Sequence, residues 1–305
     1  MTFTTFVRPL ALALFVAGIL DAAEVRPNML LLDGAFAGDT VLAVGERGTI
    51  LRSTDQALTW QAAKTGTAAT LTGVSSGPGS PKAWAVGHDA LILFSNDAGA
   101  TWTKQWQGEN LQDSFLDVLA LDGERVIAVG AYGLYLSSLD GGRTWQRRKI
   151  IDGDFHFNRI ARGPTGTLYL AGERGTLLRS RDQGINWERI ESPYDGSFYG
   201  LLPLSARALV ACGLQGRIFR SDDDGATWTP VPNQARALIA TAVVAEGGAL
   251  LFAGQARAWL ISRDGGQTVL PWASPLTGAV AELVSLPGGR VLALGEAGAT
   301  LLPRP

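Results

Sequence analysis

One eight-residue pattern recurs along this chain at nearly constant spacing, and that recurrence leaves few folds open. The pattern is Ser-x-Asp-x-x-x-Thr-Trp, first seen from Ser53 through Asp55 and Thr59 to Trp60. It returns at Ser95–Trp102, Ser138–Trp145 and Ser221–Trp228, at Ser180–Trp187 with Asn186 in the threonine place, and at Ser262–Val269 without its tryptophan. Successive copies end 42, 43, 42, 41 and 41 residues apart. A second marker keeps the same beat: an apolar run closes on glycine at Gly45, Gly87, Gly130, Gly172, Gly213, Gly254 and Gly295. Seven glycine markers and six aspartate motifs make seven units, the last stopping before its motif. Each unit divides into four short strand-like stretches; in the second they cover residues 71–75, 83–86, 91–95 and 101–106. Four strands repeating about every 40–45 residues are the mark of a propeller blade. The expected fold is all-β: a seven-bladed β-propeller of four-stranded antiparallel blades. Ring closure is favoured over an open stack because it removes exposed sheet edges.

The rest of the composition agrees. Of 305 residues, 38 are glycine and only 18% are charged, which suits short strands joined by many turns. The net charge of −2 carries no nucleic-acid signature. Cys212 is the only cysteine, so no intrachain disulfide forms, and a lone thiol in such a chain reads as a small buried apolar residue. At the N-terminus Arg8 precedes an apolar run from Leu10 to Leu20, followed by Ala22 and Ala23. Eleven apolar residues are too few to span a bilayer as a helix but fit a secretory leader. The domain reading is a signal peptide over 1–23 and one propeller over 24–305, with no transmembrane segment in the mature chain. The last unit lacks a fourth strand, and residues 24–28 are expected to supply it as a latch.

At the repeated motif the chain resembles the Asp-box (BNR) repeat proteins. More narrowly, it is similar to the photosystem II stability/assembly factor-like propellers. The paired form that carries this runs from Val44 and Gly45 through Gly48 and Arg52 to Asp55, and again from Ala171 and Gly172 through Gly175 and Arg179 to Asp182. The resemblance covers Met29 to Pro305. It implies an exported protein that binds a protein partner during assembly of a membrane complex. The compartment is the periplasm, or the thylakoid lumen in a photosynthetic host, and family analogy also offers an envelope transporter as client. No cofactor or metal is expected, and no enzymatic activity. The alternative is a glycan-active protein of the sialidase-like Asp-box class, a glycosidase or lectin. A sialidase needs an arginine triad and an early Arg-Ile-Pro motif, and the nearest match is Arg26 followed directly by Pro27.

The aspartates Asp55, Asp97, Asp140, Asp182, Asp223 and Asp264 recur too evenly to form one site. They are expected to accept backbone N–H groups and brace the turn between strands three and four. The run Asp222 to Asp224 lacks the spacing of a calcium loop. Function is therefore sought on the opposite face, in turns between strands two and three whose residues vary from blade to blade. The partner-binding candidates are Arg47, His88, Tyr132, Arg159, Arg174 and Tyr199. Arg47 and Arg174 are expected to pair with Glu46 and Glu173. Phe115, Phe157 and Phe198 hold matching positions and read as core, while Asp117, Arg159 and Glu282 on innermost strands are expected to point into the central channel.

Overall fold

The structure, a computed structural model, describes residues 29–304; the leader and the latch strand placed at 24–28 lie outside them. Six sheets are four-stranded, and the seventh has three strands among the described residues. In every sheet the strands follow chain order and pair antiparallel, as short apolar runs joined by tight turns must. The third blade is representative, with strands Phe115–Ala120, Val126–Gly130, Tyr135–Ser138 and Gln146–Arg147. The seventh has Val280–Ser285, Val291–Gly295 and Gly298–Leu301. The expected seven-bladed propeller is the observed fold. One detail differs: the motif tryptophans precede the outermost strands, as Trp145 does Gln146–Arg147, rather than starting them.

The innermost strand of each blade touches that of the next, and the last touches the first, so the blades form a ring. The core lies between blades, in seven clusters. One joins Val86 and Ile92 of the second blade to Phe115, Val118 and Val126 of the third. Another joins Leu31, Val41 and Leu51 of the first blade to Val284, Leu292 and Leu294 of the seventh, closing the ring by apolar packing. Each blade thus buries both of its faces, which is why the second strands are apolar throughout and buried along their length. Phe115, Phe157 and Phe198 are buried in these clusters, as their register predicted. The motif tryptophans take part as well: Trp102 and Trp145 pack into successive inter-blade cores.

The seven glycine markers have one physical cause. At Gly130 φ is −171°, an extended conformation open to any residue, so backbone freedom is not the reason. A Cβ there would lie 2.1 Å from the carbonyl oxygen of Ser114, at the entry to the innermost strand. That carbonyl accepts the N–H of Ala131, next in the chain, at 2.9 Å. The same approach occurs at all seven markers, with distances of 1.9–2.2 Å. Substituting Gly130→Ala is expected to destabilise the fold by about 3 kcal/mol, the upper end for overpacking, because a backbone carbonyl must move. Comparison of urea midpoints for the variant and the parent checks this.

Candidate functional site at the channel mouth

Two faces result from this frame. Turns between strands three and four, carrying the aspartates, lie on one; turns between strands two and three lie on the other, with the loops joining successive blades. The hydrogen bond from Gly133 N–H to Phe155 O shows how a two-to-three turn and an inter-blade loop meet.

The aspartate turns are near copies of one another. In the third blade Ser138 Oγ accepts the N–H of Gly142 at 2.8 Å and donates to Asp140 Oδ1 at 2.9 Å. Asp140 Oδ1 accepts the N–H of Thr144 at 2.9 Å, and Oδ2 accepts the Thr144 hydroxyl at 2.7 Å. Asp55, Asp97, Asp182, Asp223 and Asp264 make the same pair of bonds to the residue four positions on. Hydrogen bonds to the charged form lower the carboxyl pKa in all six, to about 2 at Asp55, Asp140 and Asp223. The run Asp222–Asp224 does not converge. Asp222 pairs with Arg220 at 2.5 Å, Asp223 serves its turn, and Asp224 pairs with Arg179 and Arg181 at 2.8 Å each. Among the described residues no three His, Cys, Asp or Glu side chains are grouped to hold a metal ion.

On the other face the frame repeats but its side chains do not. Arg47, Tyr132, Arg174 and Gln215 occupy equivalent turn positions with φ of 54°, 54°, 50° and 59°. Left-handed backbone also recurs in the aspartate turns, so it belongs to the frame; the information lies in what each position carries. Arg47, His88, Tyr132 and Arg174 are exposed. Arg47 and Arg174 do not pair with Glu46 and Glu173. Those carboxylates accept the backbone N–H of Leu30 and His156 at the entry to the innermost strand, as Glu296 does for Ala279. The acids reinforce the glycine contact and leave the guanidinium groups to solvent. Between the third and fourth blades the rings of Tyr132 and His156 meet edge-on at 4.8 Å. Arg174 and Arg189 approach the ring of Phe155 at 5.9 and 6.0 Å.

The channel carries a second group. Each innermost strand has a bulge two residues in, and the residue after it is Asp33, Gly73, Asp117, Arg159, Gly200, Thr241 or Glu282 in turn. Arg159 Nη2 lies 2.7 Å from Glu282 Oε2, while Nη1 is 3.8 Å from Asp33 and Nε 3.8 Å from Asp117. Above this cluster is a mouth cavity of about 370 Å³, lined by Arg159, Glu282, Tyr199 and Asn158 among apolar residues such as Leu32 and Leu116. Below it a cavity of about 280 Å³ is lined by Asp33, Asp117 and Arg159. Asp117 and Glu282 point into the channel as expected. Arg159, named both as a partner-binding candidate and as a channel residue, forms the floor of the mouth, and Tyr199 stands on its rim, 38% exposed.

Asp33 and Arg189 escaped the sequence reading. Asp33 was detectable, standing two residues after Leu31 as Asp117 stands after Phe115. Arg189 had no such signal, because its place beside Phe155 depends on the fold of an inter-blade loop. The mouth cavity is lined by one arginine, not by the three that a sialidase carboxylate site requires.

The model of photosynthesis system II assembly factor YCF48 matches residues 104–299, more than half of the chain. The chain belongs to the YCF48 assembly-factor family. Photosystem II assembly protein Ycf48 of Synechococcus sp. strain JA-3-3Ab is 27% identical over 146 residues, 47% of this chain and 43% of that relative. The protein of the same name from strain JA-2-3B'a(2-13) is 28% identical over 142 residues, 45% of this chain and 42% of that relative. The chain thus matches less than half the length of these curated relatives. Among solved structures, YCF48 bound to D1 peptide superposes with a TM-score of 0.73 at 20% identity, covering 92% of this chain and 93% of that one. YCF48 from Cyanidioschyzon merolae gives a TM-score of 0.74 at 19% identity, covering 92% and 97%. At these identities the likeness speaks for the fold.

The lowered aspartate pKa values set a direction for acid stability. Each of these groups binds a proton less readily folded than unfolded, so its contribution is full above a pH of about 4 and is lost as pH falls toward 2. Urea midpoints are expected to fall over that window, less steeply in Asp140→Asn. Ser138→Ala, which strands the buried N–H of Gly142, is expected to lower stability by about 1–3 kcal/mol at neutral pH.

Proposed function

We propose that this protein is an exported propeller scaffold that docks another protein on its channel-mouth face and serves the assembly of a membrane-associated complex. The observation that carries the reading is the group of exposed Tyr132, Arg174 and Arg189 with half-buried Phe155 and His156, on a frame that elsewhere repeats. Tyrosine and arginine are the residues most enriched where binding energy concentrates in protein interfaces. Tyr132 is 68% exposed and contributes nothing to a core cluster. His88 and Arg47 extend the same face around the ring. Arg159 and Tyr199 give it a central recess.

Kinship supports the same reading. The relatives are photosystem II assembly proteins, and one solved relative is bound to a D1 peptide. Family membership and that complex favour a proteinaceous ligand over a glycan. Among the described residues no helix is long and apolar enough to cross a membrane. Export to the periplasm follows in this proposal from the leader, with the thylakoid lumen as the corresponding compartment in a photosynthetic host. The glycan-active alternative gains no specific observation.

A photo-crosslinking residue at position 132 is expected to capture a subunit of a membrane-associated complex, whereas one at position 58 on the aspartate face captures none. Crosslinks arising only from position 58 would place the docking surface on the wrong face. The double substitution Tyr132→Ala with Arg174→Ala is expected to weaken capture at least about tenfold, the effect of losing about 1.4 kcal/mol. Both side chains are exposed, so the thermal midpoint is expected to stay unchanged.

A further inference from the structure

The channel cluster holds more acid than its arginine can satisfy. Three carboxylates from the first, third and seventh blades surround one guanidinium from the fourth, and Asp33, Asp117 and Glu282 are 6%, 5% and 5% exposed. Of the five N–H donors of Arg159, only those on Nη2 reach a carboxylate within hydrogen-bonding distance, that of Glu282. Both 3.8 Å separations, to Asp33 and Asp117, are too long for direct bonds.

The backbone holds the acids in place. Val74 N–H donates to Asp33, Val118 and Ile160 N–H to Asp117, and Leu283 N–H with the Thr241 hydroxyl to Glu282. Arg159 is the one member of the cluster that lines cavities on both sides, one toward the mouth and one toward the aspartates. The remaining strands add little charge. The second blade supplies Gly73, the fifth Gly200 backed by the buried Cys212, and the sixth Thr241. Arg162 lines the inner cavity and Glu296 the mouth.

We propose that this cluster is a proton-operated clasp. With Asp33 and Asp117 neutral, Arg159 stays on Glu282 beneath the mouth. With both ionised, it is drawn inward to them and the Glu282 carboxylate is left facing the mouth. The charge offered at the recess then follows pH. Burial supports this by raising the pKa of Asp33 well above the usual carboxylate range and that of Asp117 to about 6, with Arg159 offsetting part of the effect. Burial also raises Cys212, to about 12, which keeps its thiol neutral throughout. The clasp belongs to the channel and holds whether or not a partner docks above it.

The linkage has the opposite sign to that of the aspartate turns. A carboxyl with a raised folded pKa keeps its proton better folded than unfolded, so stability falls as pH rises from about 4 through the folded value.

The test uses the whole chain carrying 3-fluorotyrosine at its five tyrosines, read by fluorine NMR, with the Tyr199 line assigned through Tyr199→Phe. That line is expected to shift as pH rises through about 6, where Asp117 loses its proton, and to stop shifting in Asp33→Asn with Asp117→Asn. Tyr132, outside the channel cluster, is the internal control, and its line is expected to be the same in both proteins. Asparagine keeps the shape of aspartate and an acceptor oxygen; should the double variant not fold, Asp117→Asn alone serves, with a diminished shift expected. A Tyr199 line that stays still from pH 4.5 to 7.5, or shifts as much in the asparagine variant, overturns the proposal. So does a wild-type urea midpoint that fails to decrease between pH 5 and 7.5.

Discussion

The carbonyl at the entry to each innermost strand sits where the Cβ of the following second strand's last residue would be, and most of the architecture depends on that contact. Ser114 O against Gly130 is one instance of seven. The adjoining hydrogen bond, Ala131 N–H to Ser114 O, anchors the two-to-three turn to the inner end of its own blade. With that distance set, every innermost strand begins at the same height around the ring, and the bulge two residues later aims one side chain per blade toward the axis. The mouth, its recess and the channel cluster are consequences of a backbone contact that admits only glycine.

Seen this way, the two faces differ in what they ask of sequence. On the aspartate face the side chains themselves build the turn, since Ser138 and Asp140 take up the N–H groups of Gly142 and Thr144. Change there removes structure, so the residues repeat. On the mouth face the backbone contact builds the turn, and the exposed residue at its apex is released from structural duty. Arg47, Tyr132, Arg174 and Gln215 share a conformation and little else. A face braced by its backbone is free to vary its side chains, which is the condition for a recognition surface.

Periodicity made the fold legible from sequence, because a propeller repeats its solution and each copy confirms the last. Blade number, strand order, the role of the aspartates and the burial of Phe115, Phe157 and Phe198 all followed. Features that depend on unlike residues meeting were hidden. Glu46 and Glu173 looked like partners for Arg47 and Arg174, since adjacency is visible in sequence and the reach of a carboxylate back to Leu30 or His156 is not. Arg159 was expected in the channel, but its sharing by three acids was hidden because they stand 126, 42 and 123 positions away, at residues 33, 117 and 282. Register would have revealed them: the same place in each innermost strand faces the axis, and reading only that place gives Asp, Gly, Asp, Arg, Gly, Thr and Glu.

That seven-letter string also shows why the channel is charged rather than greasy. Gly73 and Gly200 add no side chain, and at both the next innermost strand comes close: a Cβ on Gly73 would lie 3.1 Å from Asp117 Cα, and one on Gly200 3.4 Å from Thr241 Cα. The two glycines let the ring draw in beside Asp117, which accepts the N–H of Ile160 next to Arg159, and beside Thr241, which donates to Glu282. Three carboxylates sharing one guanidinium away from bulk water are a poor way to stabilise a ring, since burial penalises each charge and a single cation offsets only part of it. The inter-blade cores already close the ring without them. An arrangement that adds little stability and sits at the floor of the central recess is better understood through what it presents to that recess.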